Sequence, residues 1–97
     1  MTDHNVKPFS PQKTLSREIF LQVLESSLKV RSFRFTRDAA LEWLSNYPGD
    51  LMVGWYYAQS LIYDGRIKQA KPIIQGLCNA DPEFLRAAES LIQIVQI

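Results

Sequence analysis

The chain holds one histidine, His4, and one cysteine, Cys78. Triads and dyads of nucleophilic catalysis need a histidine on the folded part. His4 falls instead in a polar start interrupted by Pro8 and Pro11. A lone thiol cannot close an intrachain disulfide, so no oxidising compartment is implied. One His and one Cys are also too few for a transition-metal site. The four glycines stand singly at Gly49, Gly54, Gly65 and Gly76, so no phosphate-cradling loop can form. Charge of one sign is missing too: 11 Lys and Arg against 10 Asp and Glu leave a net +1. That gives neither the clustered basic footprint of a nucleic-acid binder nor a polybasic membrane anchor. No apolar run approaches the ~20 residues that cross a bilayer. The expectation is a non-enzyme with no cofactor and no metal, and with no nucleic-acid or membrane partner.

At 97 residues the chain has room for a single domain, and with 46% hydrophobic residues it can pack a core. Residues 1–14 read as a flexible N-terminal arm and residues 15–97 as the folded domain. The arm lacks the basic start and apolar stretch of a secretion signal, so the cytoplasm is the expected location.

What is present is helical periodicity. No segment alternates in the period-two manner of a strand, and no Asn-Gly or Asp-Gly hairpin turn separates strand-like runs. Ser16 or Thr14 can cap a first helix carrying Ile19, Phe20, Val23, Leu24 and Leu28. After a break at Arg31-Ser32, a second helix places Phe35, Ala39, Ala40 or Leu41, Trp43 and Leu44 on its apolar side. Pro48-Gly49 ends it, because Pro48 pushes Tyr47 out of the helical region. Asp50 caps a third helix through Tyr63, and Asp64-Gly65 stops it. A fourth follows at once with Ile67, Ala70, Ile74, Leu77 and Cys78 on one face, where Cys78 reads as a structural thiol. Asp81-Pro82 closes it and opens a fifth, with Phe84, Ala88, Leu91 and Val95 in one stripe and Ala87 and Ile94 beside it. Pro72 lies inside the fourth helix, where a kink or a cost of ~3 kcal/mol is expected. Connections this short force neighbouring helices antiparallel, so the chain reads as about five helices arranged in hairpins.

Pro48 and Pro82 open equivalent hinges. Between them stand Ala58, Gly65 and Ala70, followed by Asp81-Pro82. This segment, about residues 50–82, resembles one tetratricopeptide repeat, and the spacing of the two prolines matches that family's period of about 34 residues. Small residues suit the close helix crossing, Gly65 the left-handed helix end, and Pro82 the next helix start. The flanks depart from the pattern. Thr36 and Ile92 stand where small residues are usual, and Gly54 stands where a bulky aromatic is common, with Trp55 displaced by one. The resemblance implies an all-α fold of antiparallel helical hairpins stacked as a short right-handed superhelix. Its inner groove, lined by the first helix of each repeat, would hold a peptide or protein partner. The lysine, arginine and asparagine clamp by which some relatives hold a terminal carboxylate is absent. The matching inward positions carry Leu21, Glu25, Trp55, Gln59 and Glu89.

The third helix carries two apolar stripes. Gly54, Tyr57, Ala58 and Leu61 should face its hairpin partner. Met52, Trp55, Tyr56, Gln59 and Tyr63 form the other, so the helix should be contacted on both sides. Met52, Trp55 and Gln59 are candidates for the partner groove, joined by Arg86, Glu89 and Gln93 of the fifth helix. The competing readings are packing of Tyr56, Tyr63 and most of Trp55 against residues 15–47, and a plain solvated face on the fifth helix. The apolar end, Leu91, Ile92, Ile94 and Val95, looks like half a hairpin. Either the chain is an N-terminal piece of a longer protein, or a second copy covers that face. Two functions are therefore expected as alternatives: a scaffold that binds a peptide or protein partner through its groove, or a homodimerisation module within a larger regulatory protein.

Overall fold

The computed structural model describes residues 16–95, and all regular structure within them is helical. The helices are α1 (Arg17–Lys29), α2 (Phe33–Asn46), α3 (Leu51–Tyr63), α4 (Ile67–Ala80) and α5 (Leu85–Val95). The proposed arm, residues 1–14, and the alternative cap Thr14 lie outside the described residues. No helix among those described is long and apolar enough to cross a membrane.

Local chemistry sets the helix ends. Ser16 caps α1, its Oγ accepting from the Ile19 amide, and Asp50 caps α3, its carboxylate accepting from the Val53 amide. Such caps satisfy amides that the helix leaves without carbonyl partners. Both hairpin turns close in the same way. In the first, Arg31 N–H donates to Leu28 O and Ser32 N–H to Ser27 O; in the second, Gly65 N–H donates to Ile62 O and Arg66 N–H to Leu61 O. The second residue after α1 and after α3 is left-handed, with φ 64° at Arg31 and 78° at Gly65. Glycine adopts that conformation without penalty, whereas Arg31 carries a Cβ through it.

These equivalences extend along the described residues. First helices start at Arg17, Leu51 and Leu85, evenly spaced and at the same interval as the two hinge prolines. The second helices start at Phe33 and Ile67 with that offset again. The hinge before α5 is the exception in chemistry. Asp81 ends α4 rather than capping α5, and its side chain accepts from the Glu83 amide. Phe84 stands where Ser16 and Asp50 stand, and its carbonyl takes the first helical amides. Pro72 sits inside an α4 that runs unbroken from Ile67 to Ala80. It lies on the exposed side with Lys68, whose carbonyl loses its partner there without being walled in.

Two apolar clusters share α3. In the first, Phe20 and Leu24 of α1 meet Ala39, Ala40 and Trp43 of α2, and Val53 and Tyr56 of α3 close over them. The Phe20 and Trp43 rings stack at 4.6 Å, worth about 0.5–1.5 kcal/mol beyond their burial. In the second, Ala58 and Leu61 meet Ala70, Ile74 and Leu77 of α4, with Ala87 and Ile94 of α5 beyond. The pairing is antiparallel. Early Phe20 meets late Trp43, while late Ser27 shares a hydroxyl–hydroxyl hydrogen bond with early Thr36. One hairpin later, a Cβ on Gly54 would come 3.0 Å from the Leu77 side chain. The small residue at Gly54 is thus what lets α4 approach. Both expected stripes of α3 are contacted, one by α4 and the other by the α1–α2 hairpin.

Two apolar assignments need correction, and one left open between Ala40 and Leu41 is decided. Phe35 is 44% exposed, and Phe33 takes its place inside α2, tilted against Tyr63. Leu41 is exposed while Ala40 is buried. In α5 the buried line is Ala87, Ser90 and Ile94, one position round from the expected stripe, and Val95 is 75% exposed. The reason is that this line faces the second cluster and Trp55 of α3, whose indole N–H Ser90 accepts.

Candidate functional site

Two concavities open along α1, α3 and α5. One encloses about 320 Å³ and takes Glu25, Leu28 and Lys29 from α1. Trp55, Tyr56, Gln59 and Tyr63 of α3 form its floor, and Arg86 of α5 its far wall. A second, of about 410 Å³, continues along α1 past Leu21, Gln22 and Ser26, sharing Glu25, Lys29 and Tyr56. Together they make one groove.

Its walls are held rigid. Trp55 donates its indole N–H to Ser90 Oγ at 2.9 Å, and Ser90 in turn donates to Gln59 Oε1 at 3.4 Å. The Arg86 guanidinium lies over the Trp55 ring, 5.1 Å from its centre, an attraction of about 0.5–2 kcal/mol depending on how dry it is. Tyr56 packs edge-on against Trp55 and donates its hydroxyl to Glu25 at 2.7 Å. That hydrogen bond, with Lys29 3.6 Å away on the next turn, holds the Glu25 carboxyl below its usual range. Burial, then the carboxylate, push the Tyr56 hydroxyl up to about 12. The groove therefore presents the Tyr56 hydroxyl, the Glu25 carboxylate and the basic Lys29 and Arg86 around a largely aromatic floor. The shifts at Glu25 and Tyr56 move both groups away from neutral pH rather than towards it.

The candidates distribute unevenly. Trp55, Gln59 and Arg86 converge on the groove, although Gln59 is nearly buried beneath it, 5% exposed. Met52 does not reach it and packs partly buried against the α1–α2 cluster. Glu89 and Gln93 are exposed on α5 away from the groove lining. Among the inward positions, Leu21, Glu25, Trp55 and Gln59 all line it and Glu89 does not. Leu28 and Lys29 were not anticipated. The signal for Lys29 was the repeat offset, since it stands to Tyr63 as Leu21 does to Trp55 and Glu25 to Gln59.

The apolar end also divides. Ile94 is 7% exposed and belongs to the core, and Leu91 packs partly buried against the same cluster. Ile92 and Val95 face outward. Cys78 is a free, half-buried thiol beside Leu77, packed against the second cluster. Among the described residues no group of His, Cys, Asp and Glu could hold a metal ion.

Asp50 does more than cap. Its carboxylate accepts from Arg17 Nε and Nη2 of α1, both at 2.8 Å, and from the Trp43 indole of α2 at 2.8 Å. The Arg17 hydrogen bonds, helped by Trp43 and the Val53 amide, hold its pKa below the usual carboxylate range. One residue at the hinge thus ties three helices together. No protein family profile, no curated protein and no solved structure matches this chain.

Proposed function

We propose that the chain is a tetratricopeptide-like interaction module that holds a peptide segment of a partner protein along the α1–α3–α5 groove, without catalysing a reaction. The carrying observation is Trp55, half-buried on the groove floor and locked between Ser90 and Arg86. A large aromatic already fixed in place loses little further freedom when a ligand packs on it, which is how interface anchors gain affinity. The even recurrence of helix starts and turns supports the repeat reading, because it places first helices side by side as groove walls. The reading goes with a cytoplasmic setting, where a half-buried thiol stays reduced.

The groove volume suits one or two apolar side chains of the peptide against Trp55, Leu28 and Tyr63. Lys29 and Arg86 would take an acidic flank and Glu25 a basic one. A peptide selected from a random library on the immobilised protein tests this. Trp55→Ala should weaken its binding by roughly 30-fold, the ~2 kcal/mol of a hot-spot aromatic. Arg86→Glu should weaken it too, while Leu41→Ser on α2 should not. Equal binding by all three, with helicity unchanged, would show that the groove is not the site.

A further inference from the structure

The first helix of each unit has a face that its second helix covers. On α1 that face is Phe20, Leu24 and Ser27, met by Trp43, Ala40 and Thr36 of α2. On α3 it is Gly54, Ala58 and Leu61, met by Leu77, Ile74 and Ala70 of α4. Shifted by one more repeat interval, the face on α5 is Ala88, Ile92 and Val95, with Leu85 in line at the position of Leu51. Nothing among the described residues covers it: Leu85, Ile92 and Val95 are 70, 57 and 75% exposed.

The two covered faces specify what fits. Each covering helix runs antiparallel and carries a small residue, an apolar residue four on and a bulky one seven on: Thr36, Ala40, Trp43 and Ala70, Ile74, Leu77. The small residue lies opposite the end of the first helix's face, and the bulky one lies opposite its beginning. The uncovered face itself has this spacing, with Ala88, Ile92 four on and Val95 seven on. It is therefore complementary to a reversed copy of itself. Ala88 would meet the partner's Val95, Val95 the partner's Ala88, and Ile92 would sit on the axis. A two-fold contact requires this reciprocity, in which each pair of positions occurs twice.

We infer that α5 is a self-association surface, through which two copies pair antiparallel across Ile92 in the geometry of their own hairpins. This surface lies apart from the groove, whose α5 wall is Arg86. One short helix per copy makes a small interface, so the pairing is a weak and reversible one.

Sedimentation of the 97-residue protein over a wide concentration range tests this. The expected result is a mass rising from 11.2 kDa towards twice that value. Ile92→Glu should raise the dissociation constant by roughly 100-fold or more, since the axis would bring two unpaired carboxylates together out of water. Leu41→Glu, at another exposed apolar position, should leave it unchanged. Ile92→Cys in a Cys78→Ala background should cross-link to itself on mild oxidation, whereas Gln93→Cys should cross-link far less. A monomeric mass at every concentration overturns the inference. So does a dimer that Ile92→Glu leaves intact, or one in which Gln93→Cys cross-links better than Ile92→Cys.

Discussion

Removing the Asp50 carboxylate should weaken the whole domain, because the group serves α1, α2 and α3 at once. In Asp50→Ala the Val53 amide loses its cap, a loss of about 1 kcal/mol. The Trp43 indole N–H, partly buried, loses its acceptor, which costs about 1 kcal/mol more. The Arg17 pair adds only about 0.5 kcal/mol, since the arginine side chain is half exposed and water screens it. The sum is about 2–3 kcal/mol, or roughly 10–20 °C in melting temperature for a domain of this size. Urea titration and thermal melting followed by circular dichroism read it directly. Asp50→Asn keeps a capping oxygen and an acceptor for Trp43, so it should lose less than half as much. A loss under about 0.5 kcal/mol in Asp50→Ala, typical of an ordinary surface site, would refute the three-helix role.

The same carboxylate sets an acid limb. Its folded pKa lies below the unfolded value of 3.8, so the native state binds fewer protons and stability rises with pH across that interval. Its contribution should be complete above pH 3.8 and be lost as pH falls through the lower folded value, and Asp50→Asn should flatten this part of a melting-temperature profile. At the turns, Gly65→Ala should cost about 1 kcal/mol because it forces a Cβ into a left-handed backbone. Arg31→Gly should be neutral to stabilising by up to about 1 kcal/mol, the relief of its own strain offset by chain entropy and by the lost stacking on Phe33. Gly54→Leu should destabilise by about 1–3 kcal/mol by driving Leu77 and α4 away from α3, measurable by urea titration.

Helix ends were legible wherever a residue announces itself: Ser16, Pro48-Gly49 and Asp64-Gly65 each mark a boundary that the structure keeps. The first hairpin turn was harder to read, because Arg31 does there what Gly65 does in the second, and an arginine carries no turn signal. The phase of α5 was misread because apolar residues at 91, 92, 94 and 95 support two stripes equally. Packing against α4 and the Trp55 hydrogen bond from α3 select Ala87 and Ser90 as the buried line. In α2 the apolar Phe33 and Phe35 compete in the same way. Of the groove, Trp55 was readable as an aromatic surplus on a helix already apolar on its other face. Leu28 and Lys29 were not, since they join the groove through a neighbour on α3 rather than through any local pattern. The Asp50 link to Arg17 and Trp43 was equally invisible, because a cap alone accounts for an aspartate at that position.

Amide chemical-shift mapping on the isotope-labelled domain, titrated with a library-selected peptide, tests the central claim most directly. The account predicts shifts concentrated on Glu25, Lys29, Trp55, Tyr56, Gln59 and Arg86, with the Trp55 indole signal moving most and the Trp43 indole, held by Asp50, staying still. Shifts confined to the outer faces of α2 and α4, or to Ile92 and Val95 alone, would contradict it.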